Sequence, residues 1–167
     1  MDTNTAGGGI LSDEMESERT QIVEMLTTAY WMEVETVVNY LAASINPDGV
    51  RAQEVIRSLA ADVDEELGHA RRFGERIKEL YGVVPGSQAF TPEQSFLQPP
   101  ADQRDIVSVI RGVIEAETGA IEHYNRIIVA TAEADPVTND MAIEILHDEE
   151  RHRRLFEGFL REYAGER

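Results

Sequence analysis

Glu66-Leu67-Gly68-His69 and Glu149-Glu150-Arg151-His152 decide how this chain is read. In each stretch a glutamate and a histidine stand three residues apart. Such positions share one side of a helix, so both side chains can reach one ion. Around the first pair the apolar residues run Ile56, Leu59, Val63, then Ala70, Phe73, Ile77 and Leu80. Steps of three and four place them on one buried helix face. Glu66 fills the slot between Val63 and Ala70 where an apolar residue is expected. Around the second pair, Met141 and Ile145 lead to Glu149 and His152, then to Phe156 and Phe159.

Two further stripes carry the same interruption. Ile22, Leu26 and Ala29 lead to Glu33, then Val37, Tyr40 and Ser44. Ile106, Ile110 and Val113 lead to Glu117, then Ala120, Tyr124 and Ile128. A buried carboxylate is strongly unfavourable unless it is paired or coordinates a metal. Four of them, one per helix, point to a shared cation. Two Glu-x-x-His pairs and two lone glutamates form the ligand set of a dinuclear carboxylate bundle. Each ion would take one histidine (His69 or His152) and one terminal glutamate (Glu33 or Glu117), with Glu66 and Glu149 bridging. The ions should lie roughly 3–4 Å apart. Glu33 and Glu66 are separated by 33 residues, Glu117 and Glu149 by 32, so the two halves repeat. Without ions, such a cluster of carboxylates is expected to repel itself. The competing reading is a salt-bridged core with no metal, but Arg71, Arg72, Arg151 and Arg153 fall off the stripes.

Several neighbours are set aside. Glu35, Glu65, Glu115 and Glu150 adjoin the candidate ligands, but one residue turns a side chain by about 100° around a helix. His123 and His147 lie off the ligand positions and read as solvent-facing. Tyr30 and Trp31 read as packing or interface residues. Asp62, one turn before Glu66, is a candidate for supporting a ligand or receiving incoming ions.

The chain reads as all-α, with four helices near 12–44, 50–81, 102–132 and 136–163. Asn46-Pro47-Asp48-Gly49 is a turn. Gly82 stops the second helix. Asp102, with Asp105 three residues on, reads as a box-like cap for the third helix. Asp135-Pro136 caps and opens the fourth. The join of about 82–101 holds Pro85, Pro92, Pro99 and Pro100. It is long for a compact domain. An up-down-down-up four-helix bundle needs one such crossover, and Phe90, Phe96 and Leu97 would pin it to the outside. A flexible tail over 1–11 and one bundle domain over 12–164 are expected.

Composition narrows the chemistry. There is no cysteine, so thiolate and iron–sulfur ligation are excluded and any metal must take carboxylates and imidazoles. Thirty-two acids face fifteen basic residues, for a net charge of -17. That argues against a nucleic-acid partner, which needs a basic surface. It favours attraction of cations and solubility in strong salt. No stretch approaches the length and apolarity of a membrane span. The start of the chain lacks the pattern of a secretory signal, so no membrane partner and a cytoplasmic location are expected.

The stretches 33–40, 66–71 and 143–152 make the chain resemble the ferritin superfamily over about 25–159. It is nearest to bacterioferritins and to archaeal-type starvation-protein-like (Dps-like) ferritins. Bacterioferritins carry a glutamate and a tyrosine seven apart in the first helix and Glu-x-x-His in the second and fourth. Glu33, Tyr40, Glu66, His69, Glu149 and His152 match those positions, and Glu117 is carried over as the third-helix ligand. The resemblance implies a ferritin-like bundle holding two iron ions, with manganese or zinc as other occupants. It implies Fe(II) oxidation by oxygen or hydrogen peroxide, iron storage or detoxification, and a homo-oligomer. Tyr40 and Tyr124 would hydrogen-bond to bridging glutamates or donate an electron. The residue after the second-helix glutamate, a haem-binding methionine in bacterioferritin, is Leu67 here, so no haem is expected there. The crossover is also longer and richer in proline than in bacterioferritin. Starvation-protein relatives also compact nucleic acid, but no Lys or Arg precedes Arg19. The rival readings are a non-storage di-iron or di-manganese oxidase or peroxide scavenger, and a metal-stabilised structural protein.

Overall fold

Two aspartates set the starts of helices in the second half of the chain. The Asp135 carboxylate accepts the Thr138 backbone N–H at 3.0 Å, with Pro136 in the first turn. Asp105 accepts from the Ser108 N–H at 3.0 Å. Each satisfies an N–H that the helix itself leaves unpaired. Asp105, not Asp102, is therefore the cap of the third helix. The Asp102 carboxylate turns instead to Arg104, at 3.0 Å.

The computed structural model describes residues 9–165. Its four long helices are α1 (Glu16–Ile45), α2 (Gln53–Glu79), α3 (Ile106–Thr131) and α4 (Pro136–Tyr163), and no strand occurs among the described residues. Of the tail expected over 1–11, residues 1–8 lie outside the described part. Gly9–Leu11 forms a single helical turn whose Ile10 is buried in the core, so packing begins before residue 12. At the end of α2, Tyr81 rather than a glycine takes the left-handed conformation, at φ 65°. Gly82 serves close packing: its N–H meets the Ile77 carbonyl at 2.8 Å, and a Cβ there would lie 2.8 Å from Ile77 and 2.9 Å from Val23.

Two apolar clusters give the helix directions. One joins Ile22, Leu26 and Ala29 of α1 to Phe73 and Ile77 of α2, Tyr124 and Ile127 of α3, and Ala142 and Ile145 of α4. The other joins Tyr40 near the end of α1 to Val55 and Leu59 early in α2, Ile110 and Val113 early in α3, and Phe156 late in α4. So α1 and α4 run one way and α2 and α3 the other: the expected up-down-down-up bundle. The crossover spans its length and ends beside the α1–α2 turn, where Asp48 N–H meets the Gln103 carbonyl at 2.9 Å. It continues to Asp105, four residues beyond the expected end.

The crossover is held by polar groups as well as by its aromatics. Glu35 of α1 is buried and accepts the backbone N–H groups of Glu93 and Gln94 at 2.8–3.0 Å. The Gln94 amide donates to Thr36 at 2.8 Å and accepts from Asn39 at 2.9 Å. Phe90 packs on Trp31 with ring centres 5.1 Å apart, and Leu97 enters the second cluster. Gly112 of α3 permits this approach, since a Cβ there would lie 2.8 Å from the Phe96 carbonyl. No helix among the described residues is long and apolar enough to cross a membrane.

Candidate metal centre

Midway between the two apolar clusters, the four helices bring six polar side chains together. Glu33, Glu66, His69, Glu117, Glu149 and His152 are all buried, none more than 4% exposed. Glu117, not Glu115, faces inward; Glu115 is exposed. The six sort into two overlapping groups: Glu33, Glu66, His69 and Glu149, and Glu66, Glu117, Glu149 and His152. In each group the candidate ligand atoms lie within 4.8 Å of one another.

Glu66 and Glu149 belong to both groups because each divides its two oxygens. Glu66 Oε2 lies 3.2 Å from His69 Nδ1, and its Oε1 lies 3.3 Å from His152 Nδ1. Glu149 Oε1 lies 3.0 Å from His69 Nδ1, and its Oε2 lies 3.5 Å from His152 Nδ1. Glu33 and Glu117 sit at the two outer ends, each with Oε1 3.9 Å from its own histidine. Tyr40 donates to Glu117 and Tyr124 to Glu33, both bonds joining α1 and α3. The tyrosines thus hold the end glutamates, not the shared pair that the sequence suggested.

The far side of each imidazole also meets an acid. His69 Nε2 lies 3.4 Å from Asp148 Oδ2, and His152 Nε2 lies 3.2 Å from Glu65 Oε2. A metal-binding histidine usually donates its other N–H to a group of this kind. Asp148 was missed in the sequence and Glu65 was set aside. The signal was there, since an acid directly precedes both Glu66 and Glu149. Arg151 links the two by pairing with Glu65 and, at 3.3 Å, with Asp148.

Burial and mutual charge act differently on the six groups. Burial, then the charges of Glu66 and Glu149, raise Glu33 well above the usual carboxylate range. Burial, then Glu149 and Glu66, do the same to Glu117. Burial works against Glu66 too, but hydrogen bonds from His152, His69 and Glu33 win and hold it at about 2. Burial would also depress the histidines; Glu149 and Glu66 overcome it and push His69 up to about 10 and His152 to about 12. These shifts favour protons on the two imidazoles and on the end glutamates, which relieves the expected self-repulsion.

Protons do not satisfy every atom. Glu66 Oε1, Glu149 Oε1 and His152 Nδ1 are buried without an aligned hydrogen bond, though each lies within ion-pair distance of a neighbour. Two ions would meet all three, one at Glu149 Oε1 on the His69 side and one at Glu66 Oε1 and His152 Nδ1 on the other. The donors are carboxylate oxygens and imidazole nitrogens only, a set suited to iron, manganese or zinc. Fully deprotonated, four carboxylates balance the charge of two divalent ions. The residues fit such ions.

Other candidates fall elsewhere. His123 is buried, not solvent-facing: its Nε2 donates to the Met25 carbonyl at 2.8 Å, and burial lowers its pKa. His147 and Glu150 are exposed. Trp31 packs between Tyr30 and Phe90 and borders a cavity of about 540 Å³ between α1, α3 and the crossover; none of the six clustered residues lines it. Leu67 is about half exposed on the outer surface of α2.

Comparison with known proteins agrees with the four-helix fold. The ferritin-like domain family matches residues 23–165. The chain belongs to that family. It is 27% identical over 152 residues to the DNA protection during starvation protein of Pyrococcus furiosus, covering 84% of this chain and 77% of that one. The bacterioferritin of Desulfovibrio desulfuricans is 22% identical over 148 residues, covering 88% and 78%. That protein, solved with a diiron site in different catalytic states, superposes with a TM-score of 0.77 over 90% of this chain and 84% of its own. A dodecameric thioferritin, the bacterioferritin-related protein of Bacteroides fragilis, superposes with a TM-score of 0.77 at 27% identity, covering 87% and 88%. The four-helix fold of this ferritin-like chain is thus shared with both groups named by the sequence resemblance.

Proposed function

We propose that this ferritin-like protein is a ferroxidase: it binds two ferrous ions as substrate between its four helices and oxidises them with oxygen or hydrogen peroxide. The observation that carries the reading is the division of Glu66 and Glu149, each offering one oxygen toward His69 and one toward His152. Two adjacent ferrous ions can each give up one electron, so a peroxide takes two at once and no radical escapes.

The chain's own groups prepare and hold the site. Glu66 and Glu149 fix two positions at bridging distance. Glu33 with His69, and Glu117 with His152, close the ends. Tyr124 and Tyr40 fix the orientation of Glu33 and Glu117 through their hydroxyls, and both phenols are kept protonated by burial and the nearby carboxylate charges. Asp148 and Glu65 orient the imidazoles through Nε2. As ions arrive, the imidazolium protons leave, because a histidine binds metal only as the neutral ring. Hard carboxylate ligands then favour ferric over ferrous iron and support the oxidation.

Storage requires a closed homo-oligomeric shell, of 12 or 24 chains, with symmetry-related contacts. The dodecameric thioferritin and the starvation protein support that assembly here. A net charge of -17 draws ferrous ions toward the shell, yet opposes association until salt or cations screen it. Iron oxidation followed in air and with peroxide, alongside particle mass and retained iron across a salt series, tests both parts. A small oligomer that oxidises iron but keeps only about two ions per chain would overturn storage. It would leave the oxidase or peroxide-scavenging reading. A shell that retains ferric mineral would establish storage. Failure to oxidise iron with either oxidant would sink the ferroxidase.

A further inference from the structure

The two halves of the bundle carry matching inner groups, but one position breaks the match. Four residues before Glu66 stands Asp62; four before Glu149 stands Ile145, fully buried in the apolar core. Packing in this slot therefore does not call for an acid. Orientation of His152 does not call for one either, since Glu65 already meets Nε2 at 3.2 Å, just as Asp148 meets His69. Asp62 is nonetheless only 7% exposed, with Oδ1 3.8 Å from His152 Nε2 and Oδ2 without any hydrogen-bond partner. A buried carboxylate oxygen in that state is unfavourable until a cation, a proton or water meets it.

Asp62, Glu65 and His152 each offer a ligand atom within 4.8 Å of the others. The Glu65 side chain is one-third exposed, so this place opens to water while the inner groups do not. Oxygen-rich and partly wet, it suits a divalent ion that keeps some of its water. Glu65 turns Oε1 to Arg151 and Oε2 to His152. Asp62 is then the acid of the group with an oxygen to spare. On the other half, the acids grouped with His69 are Asp148, at Nε2, and Glu65, and both are engaged by Arg151. The same ring of His152 separates the outer place, at Nε2, from the inner one, at Nδ1.

We propose that Asp62 and Glu65 form an outer site for a divalent cation, which loads the Glu117–His152 half of the centre ahead of the Glu33–His69 half. The inference rests on the dinuclear reading and adds an order of filling to it. Cobalt(II) is a suitable probe, titrated anaerobically into the full-length protein and followed by calorimetry and visible absorption. The expected result is two tight ions and one weaker ion per chain. Asp62→Ile, which copies the other half, and the near-isosteric Asp62→Asn should both lose only the weaker ion. Both should also slow inner-site loading roughly tenfold, as loss of a local negative charge slows cation capture. Circular dichroism checks the fold, and Asp62→Asn decides alone if the isoleucine variant fails to fold. Two ions in the wild type, with Asp62→Asn loading at the same rate, would overturn the outer site and leave the dinuclear centre standing. Absence of two tight ions in the wild type would overturn the dinuclear reading itself.

Discussion

The α1–α2 half and the α3–α4 half agree closely at the centre and part company around it. Inside, Glu33 and His69 mirror Glu117 and His152 at the same 3.9 Å, and each half sends one tyrosine across to the other half's end glutamate. Outside, α1 lies under the crossover and buries Glu35 against two backbone N–H groups, while its counterpart face on α3 meets the crossover through Gly112. Asp62 faces Ile145 in the same comparison. The inner groups must match because they converge on the same small volume and share two carboxylates, Glu66 and Glu149. The outer residues answer to whatever packs on each helix, and that differs.

The sharpest way to break the symmetry is to remove a shared group and compare it with an unshared one. Glu66→Ala should remove both ion positions together and lower ferroxidase activity by more than about a hundredfold, since even supporting residues around a metal cost ten- to a hundredfold. Glu33→Gln and Glu117→Gln should each weaken one position and leave the other. Stoichiometry by calorimetry with cobalt(II) reads this directly, and one ion retained in Glu66→Ala would refute the bridging assignment. The metal-free forms should diverge as well. Glu66 is the partner of both imidazolium ions, so its loss should lower the metal-free Tm. Loss of the poorly ionised Glu33 or Glu117 should not.

The next largest effect is on pH. In the metal-free protein His69 and His152 hold protons up to about 10 and 12, against 6.5 when unfolded. Their stabilisation is complete below about 6.5 and is lost as pH rises through those values. Glu33 and Glu117 also titrate well above 4.5, so their ionisation opposes the fold as pH rises. Glu66 works the other way: its contribution is present above 4.5 and is lost as pH falls toward 2. The metal-free Tm should therefore peak near pH 4.5 and decline above it, more steeply beyond about 6.5 where the histidines add to the loss. Ions displace those protons, so the loaded protein should lose the alkaline decline and ion affinity should rise with pH. Melting curves across pH, with and without cobalt(II), check this. A metal-free Tm that climbs from pH 6 to 9 would contradict the charge assignment.

A smaller effect tests the bonds that tie the halves together. Tyr40→Phe and Tyr124→Phe each delete a buried hydroxyl donor, at a cost of about 1–3 kcal/mol. Equal losses in chemical denaturation would sharpen the inner symmetry. A markedly larger loss at one tyrosine would show that the halves bear unequal loads.

How much of this was legible in the sequence follows the same division. The six central residues could be read because an acid inside an apolar stripe breaks a strong period, and four such breaks coincide. The up-down-down-up order could be read from the proline-rich join. Glu35 and His123 were misjudged because a stripe marks only the face toward the bundle centre. Glu35 is buried by the crossover, whose path along α1 leaves no period in the sequence. His123 is buried because its ring reaches a carbonyl of α1. The start of α3 was misplaced because Asp102 and Asp105 both suit a cap, and only the position of Ser108 decides between them.

The smallest predicted effect concerns Arg151, a cation that touches the supporting acids of both halves. It is more than half exposed, so solvent screens its pairs with Glu65 and Asp148, and Arg151→Gln should change stability by less than about 1 kcal/mol. Its influence on the centre should exceed its influence on the fold. Freed from the guanidinium, Glu65 and Asp148 present more negative charge to His152 Nε2 and His69 Nε2. They also hold those rings less firmly, because one anchor of each acid is gone. The first change favours cation capture and the second loosens the imidazoles, so loading should quicken while the tight ions weaken. Stopped-flow loading and calorimetric affinity for cobalt(II), measured on the same sample, separate the two. If Arg151→Gln slowed loading, the guanidinium would have to be guiding ions inward, and the acids behind it would not be competing for them.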